Sequence, residues 1–203
     1  MQKAIPKEIV IATRNQGKLR EIGAILAPLS LRILSLKDFP EIPDVAEDGT
    51  TFSENAAKKA RTIASLTGRL AIADDSGLCV DALQGRPGVF SSRFAGEEAT
   101  DQQRCRKLLD EMAGLPENQR GAEFICNMAV ASPNGEMKIV EGKCRGRITF
   151  SPQGKNGFGF DPIFFVLEFG KTMAELEPGV KNKISHRAHA MKRLKLILPK
   201  FLK

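Results

Sequence analysis

The run Ala71-Ile72-Ala73-Asp74-Asp75-Ser76-Gly77 places two adjacent carboxylates at the end of a string of small apolar residues. Leu70 to Ala73 reads as a short strand buried on both faces, too brief and too close to glycine for a helix. Charges at the end of such a strand are costly unless paired, hydrated or bound to a metal. In open α/β sheets, ligands bind in the crevice beyond the carboxyl ends of the strands. An Asx turn, with Gly77 reversing the chain, accounts for Asp-Ser-Gly without a ligand, and the doubled Asp keeps a catalytic or metal-binding reading level with it. Successive strand residues face opposite ways, so one Asp is expected to face the ligand and the other to support it. Asp75, next to the Ser76-Gly77 turn, is the better candidate for the first role. With Glu47 it would make a sparse all-oxygen site suited to Mg2+, which keeps several waters and bridges to phosphates.

Four further clusters carry polar chemistry. Thr13-Arg14-Asn15-Gln16-Gly17-Lys18 lies between a buried strand and a helix start, where free N–H groups and the helix dipole suit a phosphate. It is not a P-loop, because Ala12 replaces the first Gly and Leu19 the Mg2+-binding Ser/Thr; a plain structural turn also fits. After Glu47-Asp48-Gly49, Thr51, Asn55 and Lys59 recur every four residues on one helix face. Spacing alone favours a Lys59 that snorkels to water over one that faces a cleft. Gly157-Phe158-Gly159-Phe160-Asp161-Pro162 flanks an aromatic ring with glycines, which fits either base stacking or a turn with a core Phe. Lys181 precedes Ser185-His186-Arg187, where Ser185 fits an N-cap. Cations in the first helical turn oppose the dipole unless something anionic sits in front. His186 and His189 lack a third ligand, so zinc is not indicated.

The elements that must position these residues alternate. A strand at Glu8–Ala12 leads into a helix with Leu19, Ile22, Ile25, Leu26 and Leu29 on one face. A strand follows at Leu31–Leu36, then a proline-broken loop. Thr51-Phe52-Ser53-Glu54 is a capping box opening a helix to about Leu66, with Gly68 as its stop. Thr100 caps a helix that turns Cys105, Leu108, Leu109 and Met112 inward and closes at Gly114. AEFICNMAVA and EMKIVEGKCRGRITF, joined by Ser-Pro-Asn-Gly, read as an antiparallel hairpin. IFFV is a last short strand, and from Ser185 a helix runs on with Met191, Leu194, Leu198 and Phe201 as its stripe. Such an order implies an α/β protein, a mixed sheet with helices on its faces.

A chain of 203 residues supports one domain or two lobes around a cleft, and its 42% hydrophobic and 27% charged content belongs to a soluble globular protein. There is no apolar run long enough for a bilayer and no signal-peptide pattern. Cys79, Cys105, Cys126 and Cys144 lie far apart, as reduced thiols of a cytoplasmic protein would. Lys and Arg number 31 against 24 acidic residues, a formal net charge of +7, which favours an anionic partner. The chain has no Trp or Tyr to offer as stacking platforms, which argues against nucleic acid. Neither a nucleic acid nor a membrane is therefore expected as partner.

Taken in order, TRNQGK, EDGTTFSENAAKKA, AIADDSGLCVDALQGRPGVFSSRFAGEEATD, GFGFDPIFF and KNKISHRAHAM make the chain closely resemble the inosine triphosphate pyrophosphatase family. The resemblance runs nearly end to end. It implies a single domain over residues 1–203 with an elongated mixed β-sheet flanked by helices, two lobes around a deep active-site cleft, and a homodimer. It also implies cleavage of XTP, ITP or dITP between the α and β phosphates, giving the monophosphate and pyrophosphate, with Mg2+ or alternatively Mn2+. Such an activity keeps deaminated purines out of DNA and RNA. Carried onto this chain, Thr13, Arg14, Asn15, Gln16, Gly17 and Lys18 contact the triphosphate, Asn15 and Lys18 most directly. Lys59 and Lys181 help neutralise it. Glu47 and Asp75 hold the metal, Asp75 accepts the proton of the attacking water, and Asp74 supports them, so that Asp75, Asp74 and Lys59 form the catalytic set. Ser76 contacts substrate, Phe158 stacks the base with Gly159 and Phe160 in the same loop, and Asp161, His186 and Arg187 recognise a 6-keto purine.

Two positions depart from the family pattern. Arg14 stands where many relatives have Gly, adding a bulky cation beside the phosphate turn, and Phe160 stands where Tyr is common, removing a hydroxyl. Two rivals stay in view. A Maf-type pyrophosphatase would prefer pyrimidine or methylated nucleotides. A basic nucleic-acid-binding module would show steep salt dependence but leaves Glu47, Asp74 and Asp75 without a purpose.

Overall fold

The computed structural model describes residues 7–202; the end residues of the expected 1–203 domain lie outside them. In chain order the elements are β1 (Glu8–Ile11), α1 (Gln16–Leu26), β2 (Arg32–Ser35), α2 (Phe52–Thr67), β3 (Leu70–Val80), α3 (Asp101–Glu111), β4 (Gly121–Ala131), β5 (Met137–Ile148), β6 (Phe164–Val166), β7 (Lys171–Thr172), α4 (Pro178–Ile184) and α5 (His186–Phe201). The seven strands form one sheet in the order β2-β1-β3-β4-β5-β6-β7. It is mixed, as expected: β1 pairs parallel with β2 and β3, whereas β6 pairs antiparallel with β5 and β7. Among the described residues, no helix is long and apolar enough to cross a membrane.

The chain divides into two compact units. The first takes the described residues up to Asp75, Cys126–Gly142 and the stretch from Ala190 onward. Its strands show the period-2 alternation of a sheet buried on both faces. Ile9, Ile11, Leu70 and Ile72 face Ile22 and Leu26 of α1 and Met191, Leu194 and Leu198 of α5. Val10, Ala12, Ala71 and Ala73 face the opposite way, against Ala56, Ala60, Ile63 and Ala64 of α2. Each fully buried Ile here contributes about 1.5–3 kcal/mol of transfer free energy. The small residues on the second face let α2 lie close to β3. Helix α1 therefore covers one face of the sheet and α2 the other, with β1 flanked by the two strands they lead to. That makes the carboxyl end of β1, beside the middle of β3, a topological switch point of the sheet.

The second unit takes Ser76–Ile125 and Lys143–His189. Its core gathers Leu78, Val80, Phe94, Leu108, Met112, Phe124, Ile148, Phe160, Ile163 and Phe164. Helix α3 has the expected Thr100 capping box, with Gln103 as the reciprocal partner, and turns Cys105 and Leu108 inward. Between β4 and β5, Ser132 N donates to Glu136 O at 2.9 Å, closing the anticipated short turn. β7 and α4 were not legible in advance: one is a two-residue strand and the other a seven-residue helix, too short to show a period.

One expectation is overturned. The strand does not stop before the Asp pair, nor does Ser76-Gly77 form a turn; β3 continues through both to Val80. Leu78 and Val80, both fully buried, give residues beyond the carboxylates a core of their own. Leu78 N is also held by Ser91 Oγ at 2.9 Å. Asp74 and Asp75 thus sit in mid-strand, where alternation rather than a turn decides where each side chain goes.

Helix α2 begins and ends as its sequence dictates. Thr51 Oγ1 accepts from Glu54 N at 3.1 Å and Glu54 Oε2 accepts from Thr51 N at 3.1 Å. Gly68 closes the helix in the left-handed conformation, φ 63°. The cap fixes the first turn, and with it the positions of Asn55 and Lys59 one and two turns on. Thr51→Ala is expected to lower the unfolding free energy by about 0.5–2 kcal/mol. Urea denaturation reads this, and an unchanged midpoint would show that the cap adds nothing.

Candidate active site

In the first unit, the turn after β1 is organised by its own side chains. Asn15 is the N-cap of α1, its Oδ1 accepting from Lys18 N at 3.0 Å. Thr13 Oγ1 accepts from Asn15 N at 3.2 Å, Gln16 Nε2 donates to Arg14 O at 3.2 Å, and Gly17 is buried in the first helical turn. The guanidinium of Arg14 reaches away along the following loop, donating to Ile42 O at 2.9 Å and pairing with Asp44. The departure from Gly at this position therefore joins the turn to the Ile42–Asp44 loop. Lys18 extends from α1 to Asp74 Oδ2 at 3.2 Å.

Alternation along β3 assigns the neighbours. Leu70 and Ile72 face α1, so Asp74 falls on that side and meets Lys18. Ala71 and Ala73 face α2, so Asp75 falls on the other side and meets Asn55 and Lys59. Lys59 does not snorkel: it is 8% exposed, and its ammonium donates to Glu47 Oε1 at 2.5 Å and Asp74 O at 2.7 Å, with Asp75 Oδ1 at 3.6 Å. An apolar border did not forecast this, because the helix faces buried carboxylates rather than solvent. Burial by itself would lower the Lys59 pKa; Asp75, Glu47 and Asp74 outweigh that and hold it above the ordinary lysine value. Burial lifts the Asp75 carboxyl above the usual range, against the pull of Lys59 and Lys18.

The described residues contain no group of three or more His, Cys, Asp or Glu arranged to hold a metal. Mg2+ asks for less, one or two carboxylates completed by water and substrate phosphate oxygens. Glu47 and Asp75 come from different segments, and both reach one cation, the Lys59 ammonium. The donor set is all oxygen, as a hard cation requires.

In the second unit, Phe158 is half-buried, with Lys181 Nζ 4.6 Å and Arg187 Cζ 5.7 Å from its ring centroid. Arg187, 1% exposed, donates to Ser76 Oγ at 2.8 Å. Asp161 is buried, pairs with Lys181 and accepts from Phe158 N at 2.8 Å. A side chain at Gly157 would overlap the Asp161 carboxylate, and its φ of 78° favours glycine besides. The loop is held from α3 as well. Asp101 Oδ2 accepts from Gly159 N at 2.6 Å, and the Cys105 thiol donates to Gly159 O at 3.3 Å. Burial, with Asp101 and Asp161 nearby, pushes the Cys105 pKa up to about 12, so it stays a protonated donor. Phe160 lies in the core, edge-on to Phe94 at 6.3 Å, which explains why the absence of a hydroxyl is tolerated there. Ser185 Oγ accepts from Ala188 N at 3.2 Å, capping α5 as expected. His186 stacks on Phe124, centroids 4.7 Å apart.

Thr13–Lys18, Glu47, Lys59, Asp74 and Asp75 are thus gathered in one unit, and Ser76, Phe158, Gly159, Asp161, Lys181, His186 and Arg187 in the other. Sequence reasoning assigned nothing to Asn55, although its four-residue spacing from Lys59 was visible. It also gave no role to Asp101 and Cys105, which share one face of α3 at the same spacing, nor to Phe124.

The Ham1 family model matches residues 9–197. The chain is 52% identical over 188 residues to the dITP/XTP pyrophosphatase of Shouchella clausii, covering 93% of this chain and 94% of that protein. It is 54% identical over 187 residues to the dITP/XTP pyrophosphatase of Geobacter sulfurreducens, covering 92% and 94%. Among solved structures, a HAM1 protein from Coxiella burnetii superposes with TM-score 0.86 at 44% identity, covering 96% of this chain and 99% of that one. The Staphylococcus aureus Ham1 protein gives 0.84 at 40% identity, with 96% and 99% covered.

The Lys181–Asp161 pair is nearly inaccessible, side chains 5% and 3% exposed, so removing one partner leaves a buried charge. Lys181→Met is expected to cost about 3–5 kcal/mol of stability. Adding Asp161→Asn should recover part of that loss. Urea denaturation of the single and double variants checks both, and a Lys181→Met protein as stable as its parent would remove the pair from the account.

Proposed function

The chain belongs to the Ham1 family, and on that premise we propose that it hydrolyses non-standard purine nucleoside triphosphates, dITP, XTP and ITP, to the monophosphate and pyrophosphate. It is a hydrolase of nucleoside triphosphates. The observation that carries the residue assignment is Lys59, a buried cation gathering Glu47 and Asp75 beside the switch point of the sheet.

In the reaction, the oxygen of a water molecule bonds to the α phosphorus. The bond from that phosphorus to the α–β bridging oxygen breaks, and its electron pair leaves with pyrophosphate. The proton released by the water passes to Asp75 and then to solvent. Asp74, fixed by Lys18, holds its segment of β3 in register beneath it. Thr13–Lys18 offers the N-terminus of α1 to the phosphates. Lys18, Lys59 and Lys181 offset the negative oxygens that shield phosphorus from attack, an effect strongest where water is excluded. Glu47 and Asp75 would hold Mg2+, or Mn2+ in its place, which adds charge neutralisation of the phosphoryl oxygens and activation of water.

The base is assigned to the second group. Phe158 offers a ring to stack on, and Gly159, Asp161 and the core residue Phe160 keep that ring in place. Arg187 lies near it and donates to Ser76 Oγ. An arginine side chain only donates hydrogen bonds. It matches a purine edge bearing a 6-keto oxygen and mismatches the 6-amino group of adenine. His186 completes this recognition. We also take the chain to work as one pyrophosphatase domain and, by family resemblance, as a cytoplasmic homodimer.

The test incubates the protein with ITP, XTP, GTP and ATP, each with Mg2+ or EDTA, assaying pyrophosphate and orthophosphate separately. Metal-dependent pyrophosphate from ITP and XTP, little from ATP or GTP, and none with Asp75→Asn are expected. Orthophosphate instead would mean cleavage at the terminal phosphate, and near-normal turnover by Asp75→Asn would take that residue out of the mechanism. Phe158→Ala should chiefly raise KM, since losing a base-stacking ring costs about 1–3 kcal/mol; an unchanged KM would mark Phe158 as a packing residue.

A further inference from the structure

Asn55 is 1% exposed and sits on α2 one turn before Lys59. Both ends of its amide are engaged. Oδ1 accepts from Gly49 N at 2.8 Å, and Nδ2 donates to Asp75 Oδ2 at 3.0 Å. The partners dictate that orientation, because a backbone N–H needs the carbonyl and a carboxylate needs the NH2. Gly49 is fitted to the bond. A Cβ there would lie 2.7 Å from Asn55 Oδ1 and 2.9 Å from Glu54 Cβ, so a larger residue would push the loop off the amide. Glu47 stands two residues before Gly49 on the same loop. One side chain therefore fastens the loop that carries Glu47 to the carboxylate of Asp75.

We propose that Asn55 is a positioning residue for the hydrolysis, setting Glu47 and Asp75 relative to one another through its two bonds. This rests on the functional reading above, in which those two carboxylates do the chemistry. Without the Gly49 bond, the Glu47 loop is joined to β3 less firmly. Without the Nδ2 donor, Asp75 loses the contact that fixes its rotation about Cβ–Cγ, and Oδ1 is no longer directed at Lys59. Neither loss removes a group assigned to the base or the phosphates, so substrate affinity should change far less than turnover.

Two variants separate the two bonds. Asn55→Asp keeps the shape and the acceptor for Gly49 N but puts an oxygen where Asp75 needs a donor. Asn55→Ala removes both. For each, kcat and KM for ITP are measured at saturating Mg2+ and normalised to folded protein, and hydrogen exchange of the Gly49 amide is followed by NMR. Asn55→Asp is expected to lose about 10–100-fold in kcat with KM changed less than about threefold, while Gly49 stays protected. Asn55→Ala should lose at least as much kcat and lose the Gly49 protection. A parental kcat in Asn55→Asp would overturn the role of the donor. A parental kcat in Asn55→Ala with Gly49 unprotected would overturn the role of the tether. Absence of ITP hydrolysis by the parent protein itself would instead count against the function proposed above, and the Gly49 exchange would still show whether the tether exists.

Discussion

The first group of residues depends on one cation kept out of water. Burying a lysine ammonium costs several kcal/mol unless its donors are met, and burying two aspartates costs a comparable amount unless a cation is close. Lys59 and the carboxylates settle both demands together, through Glu47 Oε1, Asp74 O and Asp75. The contact is possible only if α2 lies close to β3. Ala56 and Ala60 on the helix and Ala71 and Ala73 on the strand provide that closeness. A larger residue at any of these positions would lift the ammonium away from its partners, so the small residues of the core are as much a requirement of the site as the charges are.

The pair of adjacent aspartates makes sense in the same terms. Neighbouring strand residues point to opposite faces, and the two faces of this sheet are covered by different helices. Asp74 is delivered to the α1 side, where Lys18 waits at the first turn, and Asp75 to the α2 side, where Asn55 and Lys59 wait. Two consecutive residues of one type thereby acquire unlike surroundings. Asp75, more dependent on a shared cation, has its carboxyl lifted by burial; Asp74, through Lys18, ties the strand to the turn after β1.

Much of the architecture was legible because local rules and tertiary demands agree. The capping boxes at Thr51 and Thr100, the Gly68 stop, the Ser185 cap and the β4–β5 link all stand where turn and cap chemistry puts them. The course of β3 was misread because Ser-Gly is a turn signal only when nothing beyond it needs burial, and Leu78 and Val80 need it. Spacing alone sends Lys59 to water, whereas the family resemblance sets it with Asp74 and Asp75, because helical spacing reports which face a residue occupies, not whether that face meets water or carboxylates. Asn55 and Asp101 were overlooked for a related reason. Each acts on a partner distant in sequence, Asp75 in one case and Gly159 in the other, and no periodicity encodes such a pairing.

The second group solves a different problem, which is holding an aromatic ring still in a loop. Glycines on both sides give the Phe158 segment its conformational range, and that range must be removed again for the ring to keep one position. Asp161 fixes the amide of Phe158, while Asp101 and Cys105 grip the two ends of the Gly159 peptide. The Asp161 carboxylate is in turn compensated by Lys181, whose ammonium stands near the same ring. Arg187 opens α5 against its dipole, a placement that costs a few tenths of a kcal/mol to about 1. The Ser185 cap, the Phe124 stack and the Arg187–Ser76 bond offset it. The cations near Phe158 are thus committed by packing, Lys181 to Asp161 and Arg187 to Ser76.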